Sequence, residues 1–147
     1  MDMSSSVRIE ASREDIYAAL NDPQILEQCI PGCERMTKVS DTEFRAAVTA
    51  KVGPVKAGFV GDVTLSDIDP PNGYTITGQG KGGPAGFAKM SAQVRLEPDG
   101  AGTRLYYDAH VDIGEKLAQV GSRLINSTAK KFTGDFFSKF AQVVVGD

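Results

Sequence analysis

Apolar positions along the chain follow three successive spacings. Val7 and Ile9 alternate with Arg8 and Glu10, the two-residue period of a short strand with one buried face. Ser12-Arg13-Glu14-Asp15 predicts a helix start, with Ser12 as N-cap and an acidic residue three positions on, and it places Ile16, Ala19 and Leu20 on one side. Asp22-Pro23 starts a second short helix, since Asp caps well and Pro suits the first helical position. Its apolar positions are Ile25, Leu26, Cys29 and Ile30, and Pro31-Gly32 ends it.

From about residue 34 to residue 113 the period is two. Phe44, Ala46, Val48, Ala50 and Val52 face one way, while Glu43, Arg45, Thr49 and Lys51 face the other. Gly53-Pro54 breaks that run, Phe59, Gly61, Val63 and Leu65 form the next inward set, and Asp69-Pro70-Pro71-Asn72-Gly73 is a strong turn signal. Tyr74 and Ile76 follow, then Met90, Ala92, Val94 and Leu96, with Pro98-Asp99-Gly100 as another turn. Leu105, Tyr107, Ala109, Val111 and Ile113 finally alternate with Tyr106, Asp108, His110 and Asp112. Consecutive antiparallel strands with one wet face are expected.

From Glu115 to about Val145 the helical period returns. Leu117, Val120, Leu124, Ile125, Phe132, Phe136, Phe140 and Val143 form a stripe at steps of three and four, and Gly121 is expected to allow close approach. The order of strand, two short helices, a run of strands and one long helix predicts an α+β helix-grip fold over residues 1–147. In it a curved antiparallel sheet wraps around the C-terminal helix and leaves an apolar cavity between them. The glycines within the strand patterns are expected to mark bends and bulges.

A chain of 147 residues buries about 70% of its unfolded surface, enough for one sizeable core. Its net charge of −3 argues against a nucleic-acid binder held by phosphate contacts. Residues 1–75 carry 7 basic and 12 acidic side chains and residues 76–147 carry 9 and 7, so only the second half is mildly basic. No apolar run is long enough to span a bilayer, and the start of the chain has neither the basic residues nor the apolar run of a secretory signal. A disulfide between Cys29 and Cys33 would close a very small loop, so a reducing, cytoplasmic setting is expected.

His110 is the single imidazole, and alternation puts it on the wet face with Asp108 and Asp112, away from any cavity. That leaves hydrolytic triads without a base. Cys29, Cys33 and His110 supply too few ligands for structural zinc, and neither a metal nor another cofactor is expected. The glycine-rich run from Gly78 to Gly86 lacks the Lys-Ser/Thr and the following helix of a phosphate loop. It predicts a hairpin, and Gly80, Gly82, Gly83 and Gly86 are candidates for a mobile flap at the cavity mouth. Among Tyr17, Tyr74, Tyr106 and Tyr107, parity selects Tyr107 to face the cavity and turns Tyr106 outward.

Several segments together resemble the carbon monoxide dehydrogenase G-subunit (CoxG) family, within the START-like or polyketide cyclase (SRPBCC) superfamily. They are Asn21-Asp22-Pro23, Cys29-Ile30-Pro31-Gly32-Cys33, Lys51-Val52-Gly53-Pro54-Val55, Phe59 with Gly61, Asp69-Pro70-Pro71, Tyr74, and Gly114 leading into Ala118 to Ile125. The resemblance implies an accessory protein of a molybdenum-containing carbon monoxide dehydrogenase or related hydroxylase. Such a protein would recruit the enzyme to the inner membrane surface and hold a hydrophobic molecule, a quinone or lipid. Members of the family often continue into an apolar tail, whereas this sequence ends at Gly146-Asp147, so peripheral membrane contact through the last helix is expected.

The expected cavity lining from the sheet is Phe44, Val48, Val63, Leu65, Ile76, Met90, Val94, Tyr107 and Val111. The helix is expected to add Leu117, Val120, Leu124 and Ile125. A ligand carrier fits these apolar faces better than the alternative, a small cyclase or dehydratase, which requires an inward acid and base.

Overall fold

The computed structural model describes residues 1–146, so Asp147, at the end of the expected domain, lies outside the described residues. The elements run β1 (Asp2–Ile9), α1 (Arg13–Leu20), α2 (Pro23–Cys29), β2 (Cys33–Ser40), β3 (Glu43–Val52), β4 (Val55–Asp69) and β5 (Gly73–Lys81). A single 3-10 turn at Gly83–Ala85 then leads to β6 (Phe87–Asp99), β7 (Gly102–Ile113), α3 (Glu115–Ala118) and α4 (Ser122–Val145).

Both short helices begin as their sequences direct. The Asp15 amide donates to Ser12 Oγ at 3.1 Å, and the Gln24 amide donates to Asp22 Oδ1 at 2.9 Å with Pro23 in the first turn. Gly32 closes the exit from α2 at φ +73°, where a Cβ would stand 2.0 Å from the Thr49 carbonyl oxygen. Only glycine fits there.

All seven strands form one antiparallel sheet in the order β1-β7-β6-β5-β4-β3-β2. The connection through α1 and α2 carries the chain from one edge strand to the other. Helix α4 packs against both β1 and β3, which lie near opposite edges, so the sheet has to curl around it. Helix α2 bridges β2 and α4 and closes that side of the grip. The register shifts fall at Cys33/Arg35, Lys38/Ser40 and Ser66/Asp69, so the bulges sit away from the glycines expected to mark them.

The C-terminal helix departs from the single run expected over Glu115 to Val145. Gly121, at φ +100° and ψ 145°, divides it into α3 and α4, and this backbone conformation is open essentially to glycine alone. Nothing lies within 4 Å of a Cβ built there, so this glycine serves as a break in the helix and not as a close-approach position. Farther along, Phe140 is completely buried and anchors α4 in a core with Ile9, Ile16, Leu96 and Leu105. Phe136 and Phe137 pack against that core.

Candidate ligand cleft

The concave face of the sheet has a filled end and an open end. Toward the β4–β5 and β6–β7 turns, Leu65, Tyr74, Leu96 and Leu105 close on Phe140. Toward the other end, one row of inward positions is nearly bare between Met36 and Ile113. Ala46 faces Gly61, Gly61 faces Gly80, and Gly80 faces Ala88, a row across four strands that carries nothing larger than a methyl group. Gly61 is obligatory, because a Cβ would stand 2.0 Å from the Gln79 carbonyl oxygen. At Gly80 the nearest atom to a Cβ is Phe59 Cβ at 3.4 Å, an ordinary contact. The next row, Phe44-Val63-Gly78-Met90-Val111, is likewise thinned by glycine at its centre.

The helix side opens along β1. A cleft of about 780 Å³ lies between Asp2–Val7 and one face of α4, lined there by Lys130, Thr133, Gly134, Phe137, Ser138 and Ala141. Tyr107 is part of its wall and stacks on Phe137, with ring centroids 5.4 Å apart and planes inclined by 22°. Gly134 has no neighbour within 4 Å of a built Cβ, which keeps the helix face low at that point. The walls combine apolar surface from Met3, Val7, Phe137 and Ala141 with Ser5, which is opposite Tyr107, and Ser138, and Lys130 and Asp2 lie at the rim; the Ser4 and Ser6 hydroxyls are held on the outer face by Asp108 and Arg104. The volume falls within the ordinary range for small-molecule sites, about 300–1,000 Å³.

The expected lining divides between these regions. Phe44 and Leu65 belong to the closed core, and Val63, Ile76, Val94 and Tyr107 pack against it. Val48, Val111, Val120 and Ile125 are half-buried, whereas Met90 and Leu124 remain exposed despite their inward parity and apolar character. Leu117 is buried on α3. Of the glycines singled out for a flap, Gly80 lies in β5 paired with Ala88, Gly82 lies under the Phe59 ring, and Gly83 and Gly86 take positive φ in the turn. The turn rests on β4 and α3.

The β1 side of the cleft and the Lys130–Ala141 face of α4 were missed by sequence reasoning. Ser4-Ser5-Ser6 has no apolar alternation to mark it, and only its pairing with β7 places Ser5 opposite Tyr107. The bare row did leave a signal, since Gly78 and Gly80 continue the inward parity of Tyr74 and Ile76.

Titratable groups lie mostly away from the cleft interior. His110 is on the outer face as parity indicates, with Nδ1 2.5 Å from Asp2 Oδ1 and Nε2 3.0 Å from Asp112 Oδ1. Hydrogen bonding to Asp2, then to Asp112, raises its pKa above the ordinary 6.5, and the same partnership lowers that of Asp2. Burial, with neighbouring Tyr17 as a smaller cause, pushes the Tyr74 phenol well above its ordinary value and keeps it neutral. The Tyr106 ring carries the Arg95 guanidinium 4.7 Å from its centroid. Cys29 and Cys33 are free thiols, each held protonated by burial. Among the described residues no group of three or more His, Cys, Asp or Glu could hold a metal ion, and no helix is long and apolar enough to cross a membrane.

A curled antiparallel sheet gripping a C-terminal helix, with a cleft between them, defines a helix-grip protein. The structure is similar to that of a conserved protein from Geobacillus kaustophilus, with TM-score 0.91 and 28% identity over 99% of this chain and 95% of that one. Proteins from Thermus thermophilus (TM-score 0.73, 14% identity, 99% and 97% covered) and Rhizobium leguminosarum (0.74, 15%, 100% and 95%) share the fold. Comparison with curated proteins finds no match. Residues 6–145 match the profile of the carbon monoxide dehydrogenase G-subunit (CoxG) family, and the chain belongs to that family.

Proposed function

We propose that this chain is an accessory protein of a molybdenum-containing carbon monoxide dehydrogenase or related hydroxylase. In this reading it carries a hydrophobic ligand, a quinone or lipid, in the grip and helps bring the enzyme to a membrane. Family membership supports the enzyme context. One observation carries the ligand reading: a row of inward positions reduced to Ala46, Gly61, Gly80 and Ala88 on the concave face, with apolar side chains left uncovered at Met90 in the next row and at Leu124 on α4. A folded domain ordinarily fills such space with its own side chains, so an emptied concave surface suits an occupant from outside.

An amphiphile would lay its apolar length along the bare row and the Tyr107–Phe137 stack. Its polar end would reach Ser5, Ser138 and Lys130. Affinity would come chiefly from apolar area removed from water, at about 25 cal/mol per Å² before association costs. The chain has no Trp, and Tyr107 is one of the four tyrosines that supply its intrinsic fluorescence. Titration with decylubiquinone is expected to quench it saturably, with a smaller amplitude in Tyr107→Phe. Absence of saturable binding by decylubiquinone and by a panel of phospholipids overturns the reading.

A further inference from the structure

The β3–β4 turn, the β5–β6 turn and the start of the C-terminal helices share one end of the molecule. A Cβ at Gly53 would meet Leu124 at 2.9 Å, the 3-10 turn packs on β4 and α3, and a Cβ at Gly114 would meet Phe87 at 3.0 Å. This end carries Lys51, Lys56, Lys81, Lys89, Lys116 and Arg123, all exposed. Among the described residues none of the six forms an ion pair, although Arg8, Arg45, Arg95, Arg104 and Lys131 all do. Acidic groups near this end include Glu115 on α3, Glu34, which accepts from Thr49 two residues before Lys51, and Asp112, which is opposite Lys89 in register but engages His110.

Two features make this end unlike an ordinary solvated surface. Lys51 and Lys56 stand directly opposite each other across the β3–β4 pair, an arrangement of like charges that costs folding stability. Apolar groups are exposed among the cations: Phe87 at 43% and Leu124 at 39%, with Pro54 and Pro84 at the turn apices. Lys81 pairs in register with Phe87 on one side and Val60 on the other, and Lys89 Nζ lies 5.5 Å from the Phe87 ring centroid. The opposite end is acidic, with exposed Asp41, Glu43, Asp67, Asp69 and Glu97 in or beside its turns. The molecule is therefore electrically polarised along the strands.

We propose that the end formed by the β3–β4 turn, the β5–β6 turn and the α3–α4 junction is a docking face for an anionic phospholipid surface. Uncharged apices and Phe87 would enter the headgroup layer, while lysines set back from the apices would meet lipid phosphates. Cations ringing an apolar tip match a bilayer interface better than an acidic protein surface, which would leave Phe87 and Leu124 without apolar cover. The face lies at the open end of the concave sheet, so docking would bring the bare row next to lipid. This rests on the membrane part of the function proposed above but not on ligand carriage, and vesicles free of quinone test it separately.

The test is sedimentation with vesicles of phosphatidylcholine alone and of phosphatidylcholine mixed with phosphatidylglycerol. The protein is expected to bind only the anionic vesicles and to be released by salt. A Lys51→Gln/Lys56→Gln/Lys81→Gln variant is expected to lose at least about tenfold in partitioning, whereas the charge-matched Lys38→Gln/Arg45→Gln/Arg95→Gln variant keeps it. Phe87→Trp places a single Trp in the chain, and its emission is expected to shift to the blue with anionic vesicles only. Three outcomes overturn the proposal: no binding to anionic vesicles, equal losses in the two triple variants, or retention by polyglutamate beads without vesicle binding. The last would assign the face to an acidic protein.

Discussion

A side chain added at Gly80 separates the ligand role of the bare row from its role in folding. In Gly80→Val the Cβ would stand 3.4 Å from Phe59 Cβ and 3.8 Å from Phe59 Cδ1, both tolerable, and the strand backbone there has no positive φ. Exchanging a strand glycine for a β-branched residue should leave stability unchanged or raise it by about 0.5–1 kcal/mol. Valine adds three carbons to the concave face, displacing a similar amount of ligand. At ~0.8 kcal/mol per methylene that is about 2.4 kcal/mol, or a roughly fiftyfold rise in Kd. Gly61→Ala, in the same row, should behave in the opposite way. Its Cβ would stand 2.0 Å from the Gln79 carbonyl oxygen, so β4 and β5 must part, at a cost of about 1–3 kcal/mol. Urea unfolding followed by circular dichroism measures stability, and decylubiquinone quenching of tyrosine fluorescence measures binding. A folded Gly80→Val protein that binds within twofold of the parent refutes the ligand role of the bare row. A Gly61→Ala protein as stable as the parent refutes the steric argument.

Two further outcomes are expected. The raised pKa of His110 means that its contribution to stability is complete below the unfolded-state value and is lost as pH rises through the folded value. The lowered pKa of Asp2 means that its contribution is present above 3.8 and disappears as pH falls through the folded value. An NMR titration should therefore place His110 above 6.5 and find it lower in Asp2→Asn; equal values in both proteins refute the pairing. Gly121→Ala should lose about 1–3 kcal/mol in urea unfolding, because alanine at φ +100° is strained, and an unchanged midpoint would show that the α3–α4 break does not depend on that conformation.

Much of the architecture was legible from periodicity. Ser12 and Asp22 cap the helices they were expected to cap, the Gly53-Pro54 and Asp69–Gly73 breaks separate strands, and Tyr107 and His110 take opposite faces. These are local effects: a capping side chain reaches its amide within three residues, and strand parity is a property of neighbouring positions. The family segments extended that reading to nearly the whole chain, in agreement with the match over residues 6–145.

The cleft was less legible because its two walls are far apart in sequence. Ser4, Ser5 and Ser6 gain a place only through pairing with β7, and the face of α4 that meets them depends on how the helix is rotated in the grip. An apolar stripe shows that a helix is buried without showing which part is covered tightly. Here the Phe136–Phe140 part is, while Leu124 stays open. The order of elements, their caps and turns, and the inward side of each strand follow from short-range sterics and hydrogen bonding, so the order of amino acids already contains them. The bare row of Ala46, Gly61, Gly80 and Ala88 and the gathering of six cations at one end exist only in the folded chain. Both depend on register across strands distant in the chain, which no local pattern contains.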